Sequence, residues 1–251
     1  MIQKVEQDTL ALFCQRVKQV QGLGDLFLVN SQLFYQKQAW FGFYLTETGA
    51  LMLREQVGYL LGQADPQELA LLLEFTGVNC LIGKIAPPLG WEKQGECLLM
   101  KYCPNMGERL ALPDGVWLEP MPSPAHVVEM LKTEGLAEYQ QENLYSELCT
   151  KCNHGKANSW IAYQNNQKVA TITATAVTRQ GVYLAELLTL PAFRGKGIGT
   201  ALCQQVAHDY FMQGKQVYLL CHTDKQALYQ KAGFVTKDCF YKLCKREDET
   251  R

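Results

Sequence analysis

Arg194-Gly195-Lys196-Gly197-Ile198-Gly199 joins an apolar run to an amphipathic one, and its reading decides the fold. Upstream, Val182-Tyr183-Leu184-Ala185-Glu186-Leu187-Leu188-Thr189-Leu190 has the apolar density of a buried strand, stopped by Pro191. Downstream, Ile198, Leu202, Val206 and Tyr210 recur at helical spacing, with Ala201 beside them. Glycine at every second position removes side chains that would hold an anion away from the main chain. A helix opening directly after such a loop offers unpaired N–H groups and the positive end of its dipole. Arg194 and Lys196 add positive charge at the same spot, so the segment reads as a diphosphate cradle. The plainer alternative is a glycine-rich strand-to-helix turn.

Spacing separates this loop from two common phosphate binders. A Walker loop requires a Lys-Ser or Lys-Thr pair after its last glycine, whereas Gly199 is followed by Thr200-Ala201. The dinucleotide fingerprint requires two residues between its second and third glycines, and here only Ile198 stands between Gly197 and Gly199. The loop resembles the acyl-CoA loop of the GNAT superfamily of N-acetyltransferases, Arg/Gln-x-x-Gly-x-Gly/Ala. Glu186 to Phe193 is similar to that family's fourth strand and following turn. A second motif lies beyond a short apolar strand at Gln216–Cys221: Ala227-Leu228-Tyr229-Gln230-Lys231-Ala232-Gly233-Phe234 resembles the family helix ending Leu-Tyr-x-Lys-x-Gly-Phe. There Leu228 is expected to point inward and Gly233 to serve as a left-handed cap. The resemblance covers Trp160 to Lys245.

It implies an α/β (α+β) fold with a mixed twisted sheet flanked by helices. The implied activity is transfer of an acetyl group from acetyl-CoA to a primary amine, with no metal. Backbone groups of Leu187, Leu188 and Thr189 are expected to hold the pantetheine arm and the acyl oxygen. Arg194, Gly195, Lys196, Gly197, Ile198, Gly199 and Thr200 are expected to bind the diphosphate. Tyr229 matches the family's proton donor to the departing sulfur; the alternative is a core tyrosine. Glu186 is the general-base candidate, because a carboxylate between Leu184 and Leu188 is costly without a task; the alternatives are neutralising a cationic acceptor or facing solvent. His222 is a weaker base candidate, and reads first as a surface residue at a strand end. The Asn frequent after the family's fifth strand is replaced by His222-Thr223-Asp224-Lys225. Rival readings are an inactive acyl-CoA-binding sensor and an interaction protein.

With 251 residues, 47% apolar and 20% charged, the chain has room for one large or two small domains. A net charge of -1 gives no reason to expect nucleic acid or an acidic membrane as partner. The expected partners are acetyl-CoA and a small-molecule or peptide amine. No leader or membrane-length run opens the sequence, and the ten cysteines stand among apolar neighbours, so they read as mostly buried, reduced thiols of a cytoplasmic protein. Cys149-x-x-Cys152-x-His154 has half a zinc spacing without a second pair.

In the second half, Gly115–Pro120 reads as a strand, Pro124–Gly135 as a helix capped by Ser123, and Glu142–Cys152 as another helix. Trp160–Tyr163 turns at Asn165-Asn166 into Lys168–Thr178, and Phe240–Lys245 closes the domain. Tyr139, Tyr145 and Trp160 are candidates for an acceptor pocket or for core. In the first half, strands at Ala39–Leu45, Ala50–Arg54 and Val57–Leu61 precede a helix started by Asp65-Pro66-Gln67-Glu68 and stopped at Gly77. Strands at Val78–Ile82 and Gly95–Tyr102 follow. This order reads as a degenerate GNAT-like domain or as a generic α+β accessory domain. The expected division is 1–110 and 111–251, with the boundary in Pro104–Pro113 and a frayed tail at Lys245–Arg251.

Overall fold

Short connections, four residues at 46–49 and two at 55–56, set a strand meander in the first half. The structure, a computed structural model, describes residues 1–104 and 110–246. They group into two compact units: Met1–Leu99 with Cys221–Asp224 and the stretch from Lys237, and Met100–Leu220 with Lys225–Thr236. The expected boundary stretch falls partly, and the tail mostly, outside the described residues.

The first unit holds β1 (Gln3–Lys4), α1 (Leu10–Lys18), α2 (Leu23–Phe34), β2 (Phe41–Leu45), β3 (Ala50–Arg54), β4 (Val57–Leu61), α3 (Pro66–Phe75), β5 (Cys80–Gly83) and most of β6 (Trp91–Tyr102). β1 to β4 pair antiparallel in order, and β5 lies parallel to β4 from Val57↔Cys80 to Tyr59↔Ile82. Leu51, Leu53 and Leu60 of the strands bury against Leu69 and Leu73 of α3. The start of α3 follows the sequence closely: Asp65 accepts from the N–H groups of Gln67 (3.0 Å) and Glu68 (2.9 Å), and Pro66 has no N–H to satisfy. Glu68 does not close a capping box; it accepts from Ile2 N–H at 2.7 Å.

The second unit holds β7 (Val116–Pro120), α4 (Pro124–Leu131) with a 3-10 turn at Lys132–Glu134, α5 (Glu138–Asn153), β8 (Asn158–Gln164), β9 (Gln167–Val177) and β10 (Gly181–Thr189). A 3-10 turn at Pro191–Phe193 leads to α6 (Ile198–Met212), β11 (Gln216–His222), α7 (Gln226–Lys231) and β12 (Phe234–Lys245). The strand order is β7-β8-β9-β10-β11, antiparallel except for the parallel β10–β11 pair. Asn165 (φ 51°) and Asn166 (φ 60°) form the left-handed pair that lets a two-residue turn join β8 to β9 with the right twist. Val127, Leu131, Leu144, Leu148, Ile161 and Leu188 form one core, and Lys151 is buried in an ion pair with Glu147 at 2.6 Å. β12 from Lys237 onward belongs to the first unit, where it pairs antiparallel with β5 from Tyr241↔Gly83 to Cys244↔Cys80.

Each unit therefore runs two helices, three antiparallel strands, a helix, and a strand parallel to the third. Several local expectations shift. α1 and α2 lie where no element was read. α5 begins at Glu138 because the Gln140 side chain accepts from Ala137 N–H at 3.0 Å, an N-terminal brace available before Glu142. Ser123 stands at the α4 cap position without a capping hydrogen bond from its side chain. β5 begins at Cys80, β6 at Trp91, and the last strand at Phe234 rather than Phe240. No disulfide joins the ten cysteines, but only Cys97, Cys203 and Cys221 are buried and the others are half-buried. Burial pushes the Cys97 and Cys221 thiols up to about 11, which keeps them protonated and weak as nucleophiles. Among the described residues no cluster of His, Cys, Asp or Glu is gathered for a metal ion, and no helix is long and apolar enough to cross a membrane.

The Asp65 cap sets a stability prediction. Asp65→Ala should lower the unfolding free energy by about 1 kcal/mol, and Asp65→Asn by much less, read as urea midpoints at constant m-value. Equal losses in both variants would show that the cap bond is not what the helix relies on.

Candidate active site

The site begins with a fault in β10. Its pairing with β9 slips twice: β9 carries an extra residue between Tyr183↔Ala176 and Leu184↔Ala174, and β10 carries one, the bulge, between Ala185↔Thr173 and Leu188↔Thr171. The bulge sits at Glu186, whose φ of 54° is the left-handed region that side chains disfavour. On the other edge, the parallel register with β11 runs from Gly181↔Gln216 to Leu184↔Leu219 and ends there. The two strands thus share a ladder at their start and separate at the bulge.

Two cavities occupy the opening. The smaller, about 330 Å³, is lined by Leu184 to Leu188 and Tyr229, with Leu131, Leu136 and Ile172 among its apolar walls. The larger, about 940 Å³, is lined by Leu187, Leu188 and Thr189, the loop Phe193–Ala201, and Ala227, Leu228, Tyr229 and Lys231 around α7. Leu187, Leu188, Tyr229 and Glu134 line both. Apart from His222, the residues singled out from the sequence for catalysis or donor binding border one cavity or the other.

The loop is shaped by its glycines for two different reasons. Gly197 takes φ 79° at the position before α6, and a side chain there would meet nothing within 4 Å, so the loop faces open space. Gly199 has ordinary helical geometry, but a Cβ on it would lie 2.6 Å from Thr189 Oγ1. The first turn of α6 therefore approaches the end of β10 more closely than alanine allows. The first intrahelical bond runs from Ala201 N–H to Gly197 O at 3.0 Å, which leaves the N–H groups of Ile198, Gly199 and Thr200 without intrahelical acceptors. Ile198, Ala201, Leu202 and Val206 anchor α6 in the core, so the turn is fixed.

The cationic side chains are engaged locally. Arg194 Nε donates to Thr189 O at 2.8 Å and its terminal nitrogen to Glu134 Oε1 at 2.9 Å. Lys196 Nζ stands 5.1 Å from the centre of the Phe193 ring. Tyr229 is set by α7, which ends against Gly233 (φ 89°), and its ring packs edge-on to Phe234 at 6.2 Å. Leu228 is half-buried at the larger cavity rather than in the core. Glu186 is half-buried at the smaller cavity. His222 is exposed at the end of β11, its Nδ1 3.7 Å from Cys97 Sγ, and borders neither cavity.

Sequence reasoning missed part of the wall. Tyr139 and Tyr145 are exposed and Trp160 packs edge-on against Tyr210 at 5.9 Å; none lines either cavity. Leu131, Glu134 and Leu136 from the end of α4 take that place. Gly135, left-handed at φ 85°, was the available signal: it ends the helix where the chain turns along the cavity. Leu110, whose N–H donates to Gln204 Oε1 at 2.6 Å, also borders the larger cavity.

Residues 155–236 match the family model described as an acetyltransferase (GNAT) domain. No curated protein matches the sequence. A GCN5-related N-acetyltransferase-like protein from Streptococcus suis is 15% identical, with a TM-score of 0.59 over 94% of this chain and 100% of its own. A GNAT-family acetyltransferase from Colwellia psychrerythraea is 13% identical, with a TM-score of 0.58 over 98% and 100%. A tandem GNAT protein from the clavulanic acid biosynthesis pathway is 10% identical, with a TM-score of 0.60 over 97% of each chain. At these identities the likeness is one of fold, and it extends through both halves. The match over residues 155–236 supports acyl transfer as the general chemistry of that stretch and lends no support to a module without turnover.

The close approach at Gly199 makes a prediction. Gly199→Ala should cost about 1–3 kcal/mol of stability through the clash with Thr189 Oγ1. Adding Thr189→Ala should recover part of that cost, so that denaturant unfolding of the two single variants and the double variant shows coupling of about 1 kcal/mol. Strict additivity would mean that the helix shifts away from the strand at no expense.

Proposed function

We propose that the chain is a cytoplasmic acetyl-CoA-dependent N-acetyltransferase that acetylates a primary amine, with residues 111–251 as the transferase domain and 1–110 as an accessory domain of degenerate GNAT type. One observation carries this reading. A strand separated from its parallel neighbour runs into an uncapped helix start, and Tyr229 borders the cavities on both sides. The larger cavity is near the upper end of the usual range for ligand sites and suits a long donor. The cytoplasmic location is inferred from ten free thiols.

Acetyl-CoA is a substrate here and supplies the thioester. The N–H groups of Ile198, Gly199 and Thr200, with the dipole of α6 behind them, hold its diphosphate. Backbone groups of Leu187, Leu188 and Thr189 hold the arm and polarise the acyl oxygen, a contribution of a few kcal/mol when the donor is preorganised. Thr189 O already accepts from Arg194, which supports Leu187 and Leu188 as the main holders of the arm. Glu186 removes a proton from the incoming ammonium. The amine nitrogen bonds to the acyl carbon, the carbon–sulfur bond breaks, Tyr229 gives its proton to the sulfur, and the second proton shed by the nitrogen restores the phenol through solvent. A phenol near 10 and a thiol near 8.5 are close enough in acidity for that transfer. The first unit offers no equivalent cradle: its corresponding helix start is filled by the Asp65 carboxylate.

Acetyl-CoA at a hundredfold its dissociation constant should stabilise the protein by about 2.7 kcal/mol in thermal unfolding. Calorimetry should give one site per chain, and Gly197→Glu should abolish the effect by placing bulk and negative charge in the cradle. Unchanged binding in that variant would refute the cradle. In a thiol-release assay against a library of primary amines, Tyr229→Phe should lower kcat about a hundredfold with little change in donor affinity. Wild-type turnover in that variant would remove Tyr229 as proton donor.

A further inference from the structure

Glu134 was not singled out by any motif, yet its carboxylate is the one acidic group among the described residues that borders both cavities. It comes from the 3-10 turn after α4 and pairs with Arg194 across the mouth of the opening, both side chains about half exposed at 49% and 53%. Arg194 in turn is tied by its Nε to Thr189 O. An exposed pair of this kind is weak and exchanges readily. A diphosphate seated at the start of α6 lies within the same cavity that Arg194 lines, and it carries more charge than a single carboxylate.

We propose that Glu134 is a specificity-determining residue controlled by donor binding: it holds Arg194 while the cradle is empty, and it faces the smaller cavity as a released carboxylate once a diphosphate draws Arg194 away. The inference rests on the donor site proposed above. Its consequence is an order of binding. Before the donor arrives, the acidic side of the acceptor cavity is partly neutralised; afterwards it favours a cationic amine. Glu134 is a positioning residue here, acting on charge at the cavity and forming no bond to reacting atoms.

Calorimetric titration with coenzyme A tests this on the whole chain. If Arg194 must leave Glu134 to meet the diphosphate, Glu134→Gln frees it in advance and should tighten coenzyme A by about two- to fivefold, the worth of an exposed pair. In an Arg194→Gln background the same change should give no gain, which separates competition for the guanidinium from simple relief of charge repulsion. Pantetheine, which lacks the diphosphate, should bind all variants alike. Equal or weaker affinity in Glu134→Gln, or the same gain with and without Arg194, would overturn the gate while leaving the donor site standing. No coenzyme A binding by the wild-type chain would overturn the donor site itself, and the gate with it.

Discussion

The separation of β10 from β11 after Leu184↔Leu219 is the constraint on which the site depends. A parallel pair that continued would use the main-chain groups of Ala185 to Leu188 in a ladder and leave no room between the strands. The extra residue of β10 between Ala185 and Leu188 bends the strand away, and Glu186 absorbs the bend at φ 54°. A non-glycine residue held there costs on the order of 1–3 kcal/mol, tolerated because neighbours over-determine the position. Those neighbours are visible: Leu184 and Leu188 are buried on either side, and the β9 ladder resumes at Thr171. Main-chain groups released from a ladder need partners, so the same distortion that opens the cavities also supplies hydrogen-bonding groups to their walls.

The two halves show how the same order of elements carries opposite chemistry at one position. In each, a helix follows the third strand of a meander and precedes a parallel strand. In the first unit the start of α3 is closed by its own anion: Asp65 occupies two N–H groups, Pro66 lacks a third, and Glu68 adds negative charge in the first turn. In the second the start of α6 has Gly197 at the cap position, no side-chain cap, and no acidic residue in its first turn. Capping stabilises a helix by satisfying the groups that would otherwise bind an anion. Stability and ligand affinity therefore compete at a helix start, and the units resolve the competition differently.

Much of this was legible because it rests on local geometry. The Asn165-Asn166 turn, the Asp65 start, the glycine loop and the burial of Ile198, Leu202, Val206 and Tyr210 each follow from a few adjacent residues. α2 was not legible for a physical reason: nine of its residues are buried, so no polar stripe marks a period, and Gly22 before it offers no capping side chain. The bulge at Glu186 was also hidden. Its alternation with Leu184 and Leu188 resembles a regular strand, and only the register with β9 shows the extra residue. The approach of Glu134 to Arg194 joins residues sixty positions apart, which no local pattern reports.

The sizes of the cavities separate the two substrates on the reading adopted here. Under the proposed function the cavity of about 940 Å³ takes the donor, and main-chain groups at the start of α6 would give it affinity for any acyl-CoA. The acceptor side spans about 330 Å³, at the lower end for ligand sites, with Leu131, Leu136, Ile172 and Leu188 around Glu186. Apolar walls discriminate only by about 1–3 kcal/mol per methylene, so the carboxylates of Glu186 and Glu134 are the groups that would tell a cationic amine from a neutral one. Selection of the acceptor therefore falls on charge first and on length second. Both are set by residues at the end of α4 and in the bulge, outside the glycine loop that made the domain recognisable.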